Sequence, residues 1–151
     1  MLSKLRALLS AQPSGTSPSG LDATQVAVCV LLLEAAVSDE DFTEAEHALV
    51  RRVLRQRFQL APEAVEQVIA EAREAQRESY DLWQFTHEIN ESHTQAEKVA
   101  IMEDIWRVLY SDGHLDGDED HLAHKLRHLL NLSHPQFIAA KMTVLREVRG
   151  E

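Results

Sequence analysis

Cysteine is almost missing from this chain: Cys29 is the only one in 151 residues. An intrachain disulfide is excluded, and a reducing, cytoplasmic setting is the expectation. Cys29 lies inside the apolar run Val26–Leu33 and fits a small core residue rather than a reactive thiol. Aromatic residues are also scarce, at 5%. Strict apolar–polar alternation is absent, which argues against strands. No apolar stretch approaches a membrane span: the longest, Val26–Leu33, ends at Glu34. Met1–Leu9 is too short and too interrupted for a secretory signal. Positive charge is in deficit, with 15 Lys and Arg against 25 Asp and Glu, a formal net charge of -10. That balance excludes a nucleic-acid partner and an anionic membrane surface. It leaves cations or a basic protein partner as candidates. The five glycines form no phosphate-cradling loop, and no Ser-His-Asp order stands out. No enzymatic activity is expected.

What remains is a helical chain. With 44% hydrophobic and 26% charged residues it suits one soluble globular domain. Ser10–Gly20 holds Pro13, Gly15, Pro18, Gly20 and several serines. Residues 1–20 therefore divide into a short amphipathic helix and a linker. Residues 21–151 form the main all-helical domain. Leu2, Leu5, Leu8 and Leu9 give the N-terminal segment an apolar face, expected to dock on its own domain or on a second copy in a homodimer.

Cap signals divide the main domain into seven helices. Asp22 caps a helix to about Val37. Thr43-x-x-Glu46 is a capping box for a helix to about Phe58. Pro62 opens a helix to about Glu78, and a short helix runs from about Asp81 to Asn90. Thr94-x-x-Glu97 opens a helix to about Tyr110, and Asp116-x-x-Glu119 one to about Leu130. Ser133-x-x-Gln136, with Pro135, opens the last, to about Val148. Short loops imply a compact bundle. Trp83, Phe85 and Trp106 are expected in its core. Arg51, Arg52, Arg55 and Arg57 are expected on a solvated, ion-paired face.

One acidic pattern occurs twice, 73 residues apart. The first copy is Ser38-Asp39-Glu40-Asp41-Phe42 with Glu46; the second is Ser111-Asp112-Gly113-His114-Leu115 with Glu119. Each spans a helix–turn–helix junction, so the domain is expected to be a pseudo-twofold repeat, with residues 32–60 overlaying 105–132. An Asp at a helix C-terminus faces the negative end of the helix dipole and calls for a cationic partner. Glu46 precedes Leu49, Val50 and Val53 by helical spacing, as Glu119 precedes Leu122, Ala123 and Leu126. Both carboxylates are therefore expected on the buried stripe, where they must be hydrogen-bonded, protonated or metal-bound.

Two roles follow. Asp39, Glu46, Asp112 and Glu119, with Asp41, Asp116 and Asp118 in support, are oxygen donors suited to Ca²⁺, Mg²⁺ or Mn²⁺. Alternatively, each Glu folds back on its own N-cap and each Asp bonds turn amides. The domain would then be an acidic interaction module with a protein partner. The second turn is no EF-hand, since Ala123 stands where the bidentate Glu belongs. His121, His124 and His128 share a face, but an exposed polar face is preferred to a zinc site, since no Cys completes it. Glu44-x-x-His47 and Asp118-x-x-His121 have di-iron spacing yet point sideways from the apolar stripes.

An apolar helix, Asp-Gly-x-Leu and a Glu seven places after the Asp, repeated in two halves, resembles the tellurite-resistance protein B (TerB-like) superfamily. The likeness covers about residues 22–148. It is fullest at Asp112-Gly113-His114-Leu115 with Glu119; the first copy has Glu40 where glycine is usual. The resemblance implies an all-α domain, divalent-metal binding by acidic residues and a part in a bacterial tellurite or stress response. It implies no catalysis.

Overall fold

The computed structural model describes residues 22–36, 44–111 and 117–150, and of 117–119 the backbone alone. Within them lie seven α-helices and no strand: α1 (Ala23–Ala36), α2 (Glu44–Phe58), α3 (Pro62–Arg77), α4 (Trp83–Ser92), α5 (Gln95–Leu109), α6 (Gly117–Leu129) and α7 (His134–Arg149). The N-terminal segment 1–20 lies outside the described residues.

The helix starts follow the cap chemistry. Asp22 Oδ1 accepts from the amides of Thr24 at 2.8 Å and Gln25 at 3.4 Å, so Asp22 caps α1. Thr94 and Glu97 close a full capping box on α5, with Glu97 N to Thr94 Oγ1 at 3.1 Å and Thr94 N to Glu97 Oε1 at 2.7 Å. Ser133 and Gln136 do the same for α7, beside Pro135. α4 begins two residues later than the sequence suggests. The Asp81 carboxylate accepts from Trp83 N at 3.0 Å, outside the first helical turn rather than within it.

α1 is the axle of the domain. It is apolar on every side, and Val28, Cys29, Val30, Leu31 and Leu32 are wholly buried. It packs on α2, α3, α4 and α5. Burying each Leu or Val there is worth about 1.5–3 kcal/mol. α5 is the second hub and also contacts α2, α6 and α7. Its buried face is Ile101, Met102, Ile105, Trp106 and Leu109. Trp106 meets Phe137 of α7 at 5.2 Å between ring centres, and Tyr110 at 5.7 Å.

One feature corrects the expectations. Trp83 is not core: it is 53% exposed. The inward face of α4 is Phe85, Thr86 and Ile89, and Trp83 sits two positions from Phe85, on nearly the opposite side of the helix. Arg57 is exposed and ion-paired, as expected, but its partner is buried. Its Nε donates to Asp104 Oδ2 at 2.7 Å, and Asp104 is only 4% exposed.

One backbone conformation occurs after both α2 and α6. Gln59, after α2, has φ 54°, and Asn131, after α6, has φ 57°. Non-glycine residues rarely adopt this left-handed conformation. At Asn131 it forms a Schellman ending, with Leu132 N to Arg127 O at 3.1 Å and Asn131 N to His128 O at 3.1 Å. The expected overlay of 32–60 on 105–132 includes both acidic turns, which lie outside the described residues.

Candidate functional site

Of the predicted ligands, Asp39, Asp41, Asp112 and Asp116 lie outside the described residues. Asp118 and Glu119 fall in the first turn of α6, with only their backbone described. Glu46 lies in the first turn of α2, ahead of half-buried Leu49 and buried Val50 and Val53. Its own side chain is half-buried, at the rim of the stripe rather than inside it. Among the described residues, no three His, Cys, Asp or Glu side chains gather closely enough to hold a metal ion.

The described helices do show which ends share a side of the molecule. A cleft of about 140 Å³ lies between Glu34 and Gln76, the turn residues Ser79 to Leu82, and Leu122 and Lys125. Glu34 is in the last turn of α1, two residues before the helix ends at Ala36. Leu122 is five residues into α6. The last turn of α1, which leads into the first acidic turn, therefore shares a cleft with α6, which follows the second. Glu34 Oε1 accepts from Gln76 Nε2 at 2.8 Å, which ties α1 to α3 at this rim. Beside Trp106, burial and then the charge of Asp120 push the Tyr110 phenol up.

The other candidates separate cleanly. Glu44 and His47 both turn toward Arg51, at 3.5 Å and 3.4 Å, along the surface of α2. That direction does not suit a di-iron core. His121, His124 and His128 are all exposed. His124 lies 3.8 Å from Asp120, with its ring 4.9 Å from that of Phe137. Cys29 is wholly enclosed, and burial pushes its thiol up, which suppresses the reactive thiolate.

Two buried polar groups were not singled out from the sequence. Lys98 is 5% exposed; its Nζ donates to Asn90 Oδ1 at 3.0 Å, and Asn90 Nδ2 donates to Leu129 O at 2.8 Å. The pair satisfies an end carbonyl of α6 and ties α4, α5 and α6 together. Burial pulls the Lys98 ammonium below its ordinary range. Asp104 is held by Arg57 and by Arg107 Nη1, each at 2.7 Å. Arg107 then grips Glu147 of α7 with both Nε (2.9 Å) and Nη2 (2.7 Å). One signal was available: Asp104 stands between Met102 and Ile105, in phase with the apolar stripe of α5.

The family model described as tellurite resistance protein TerB matches residues 25–142. The chain belongs to the TerB family. No curated protein and no solved structure matches it significantly. The TerB span takes in most of α1, all of α2 to α6, more than half of α7 and both acidic segments. The all-helical architecture is that of the TerB family. Among the described residues, no helix is long and apolar enough to cross a membrane.

Proposed function

We propose that this chain is a non-catalytic TerB module of a bacterial, cytoplasmic stress response that takes up a divalent cation through its two acidic turns. Asp39, Glu46, Asp112 and Glu119 are the proposed ligands, with Asp41, Asp116 and Asp118 close in sequence. The observation that carries this reading is the extent of the TerB match, 25–142, which encloses both copies of the pattern. The donor set fits a hard cation: it consists of carboxylates alone, without Cys or His, which favours Ca²⁺, Mg²⁺ or Mn²⁺ over zinc. Close carboxylates repel one another, and a bound cation relieves that repulsion.

The test is thermal. A ligand that binds only the folded state stabilises it by about 2.7 kcal/mol at a hundredfold excess over Kd. Ca²⁺, Mg²⁺ or Mn²⁺ should raise Tm, and Asp112→Asn with Glu119→Gln should abolish the rise while helicity stays intact. If calorimetry on metal-stripped protein shows no binding of any of the three ions at millimolar concentration, the metal reading fails.

A second reading has its own support. The Ser/Thr-x-x-Glu/Gln pattern is a working capping box at both Thr94 and Ser133. Thr43-x-x-Glu46 follows the same pattern. If its Glu only caps its helix, the acidic surface would recruit a protein partner instead.

A further inference from the structure

The exposed face of α4 is unusual for a chain with so few aromatics. Trp83 is 53% exposed and Tyr80 stands fully in solvent. Trp83 is stacked on His87, with ring centres 4.6 Å apart and planes 14° from parallel. His87 in turn lies 3.7 Å from Glu91, so Trp83, His87 and Glu91 form one ridge along the helix.

The segment itself is acidic, although Lys125 of α6 lines the cleft beside Tyr80 and Asp81. From Glu78 to Ser92 the chain carries Glu78, Asp81, Glu88 and Glu91 and no Lys or Arg. The opposite composition lies at the start of the chain. Residues 1–21 hold Lys4 and Arg6 and no Asp or Glu, so the net charge of -10 becomes -12 for the remainder.

The chain enters the domain at the C-terminal end of α4, the end away from Trp83. Thr24 Oγ1 lies 3.2 Å from Ser92 Oγ, at the end of α4. Burial, and then the charge of Asp22, push the Glu88 carboxyl up, which places Asp22 near Glu88. From Glu88 to Trp83 is about 7.5 Å along the helix axis. The twelve residues 10–21 can bridge at most about 40 Å. The ridge is therefore within their reach.

We propose that the Trp83–His87–Glu91 ridge of α4 is the docking surface for the chain's own residues 1–9. Leu2, Leu5, Leu8 and Leu9 cover the aromatic rings, and Lys4 and Arg6 meet the acidic side chains of Asp81, Glu88 and Glu91. The attachment is intramolecular and independent of the metal reading.

The test uses the full chain with a nitroxide label placed through Ser3→Cys. Cys29 is fully buried and does not compete for the label. The amide signals of Trp83, His87 and Glu91 and the Trp83 indole signal should lose at least about half their intensity. A tether this short holds the segment at an effective concentration in the mM range. The loss should not change on dilution. It should vanish in Leu5→Asp with Leu8→Asp, and it should weaken in high salt. Unaffected α4 signals, or broadening centred on another face, overturn the proposal. Broadening of α4 only when labelled chains are mixed with unlabelled, isotope-enriched ones also overturns it, in favour of a second copy as the occupant.

Discussion

Arg57 on α2 and Asp104 on α5 are 47 residues apart in sequence and 2.7 Å apart in space. Arg57 brings a second contact, from Nη2 to Ala100 O at 3.3 Å. Arg107 approaches the same carboxylate from the other side and carries the link on to Glu147 of α7. A buried carboxylate is thus enclosed by two guanidinium groups, and three helices that share no loop are joined through it.

Asp104→Asn should be costly without changing the fold. It removes the negative charge that both arginines face and leaves an amide that cannot accept from both. Breaking a buried pair costs about 3–5 kcal/mol. Arg57 and Arg107 are about a third exposed, so solvent softens the loss. The expected destabilisation is about 2 kcal/mol by urea unfolding. A change below about 0.5 kcal/mol would place Asp104 among ordinary surface positions.

Acid should loosen the grip on α7. The bidentate hydrogen bond from Arg107 holds the Glu147 carboxyl below the ordinary value of 4.5. A group depressed on folding stabilises the native state above its unfolded pKa, and that contribution is lost as pH falls through the folded value. Native stability should therefore fall below about pH 4.5 in part through Glu147. Glu147→Gln should flatten that part of the profile, by less than about 1 kcal/mol because the carboxylate is half exposed. Glu88 and Glu103 act in the opposite sense. Burial raises both, so the stability they contribute is lost as pH rises through their folded values. Unfolding curves of wild type and Glu147→Gln between pH 3 and pH 6 would separate the two; parallel curves would rule out a Glu147 contribution.

Glu46→Gln distinguishes a ligand from a cap. Glutamine serves at the third position of a capping box as well as glutamate does. Metal-free stability should then stay within about 0.5 kcal/mol of wild type. The proposed metal response should nevertheless shrink, because a neutral amide replaces a carboxylate donor. Scanning calorimetry with and without Mn²⁺ measures both. An unchanged Mn²⁺ response would leave Glu46 as a cap alone. Thr94→Ala, at the fully formed box on α5, supplies the reference for cap loss, at about 1 kcal/mol.

The helices were legible because their boundaries are written in short-range chemistry. Asp22, Pro62, Thr94 and Ser133 each act within a few residues of themselves, so the sequence carries their effect directly. Trp83 was misjudged because hydrophobicity alone does not choose a helix face; the phase of Phe85, Thr86 and Ile89 against α1 does. The partner of Arg57 was not legible for a related reason. It is on another helix, and nothing near Arg57 in sequence names it. The acidic turns illustrate the same limit. Their spacing identifies the residues that share a pattern, while convergence depends on the relative placement of two turns, a long-range property. The same pattern also satisfies a local cap, so it is consistent with both roles.

The wrapping of α1 bears on how the protein is made. Val26–Leu33 is surrounded by helices that extend as far as α5, which ends at Leu109. During synthesis this apolar stretch leaves the ribosome well before its covering helices exist. At about 5–20 residues per second the interval is on the order of 4–15 s. For that time the most aggregation-prone part of the nascent chain has no native shelter, so fragments cut before α5 should be insoluble. Production of this domain in a cell would then depend on holding chaperones more than its small size suggests.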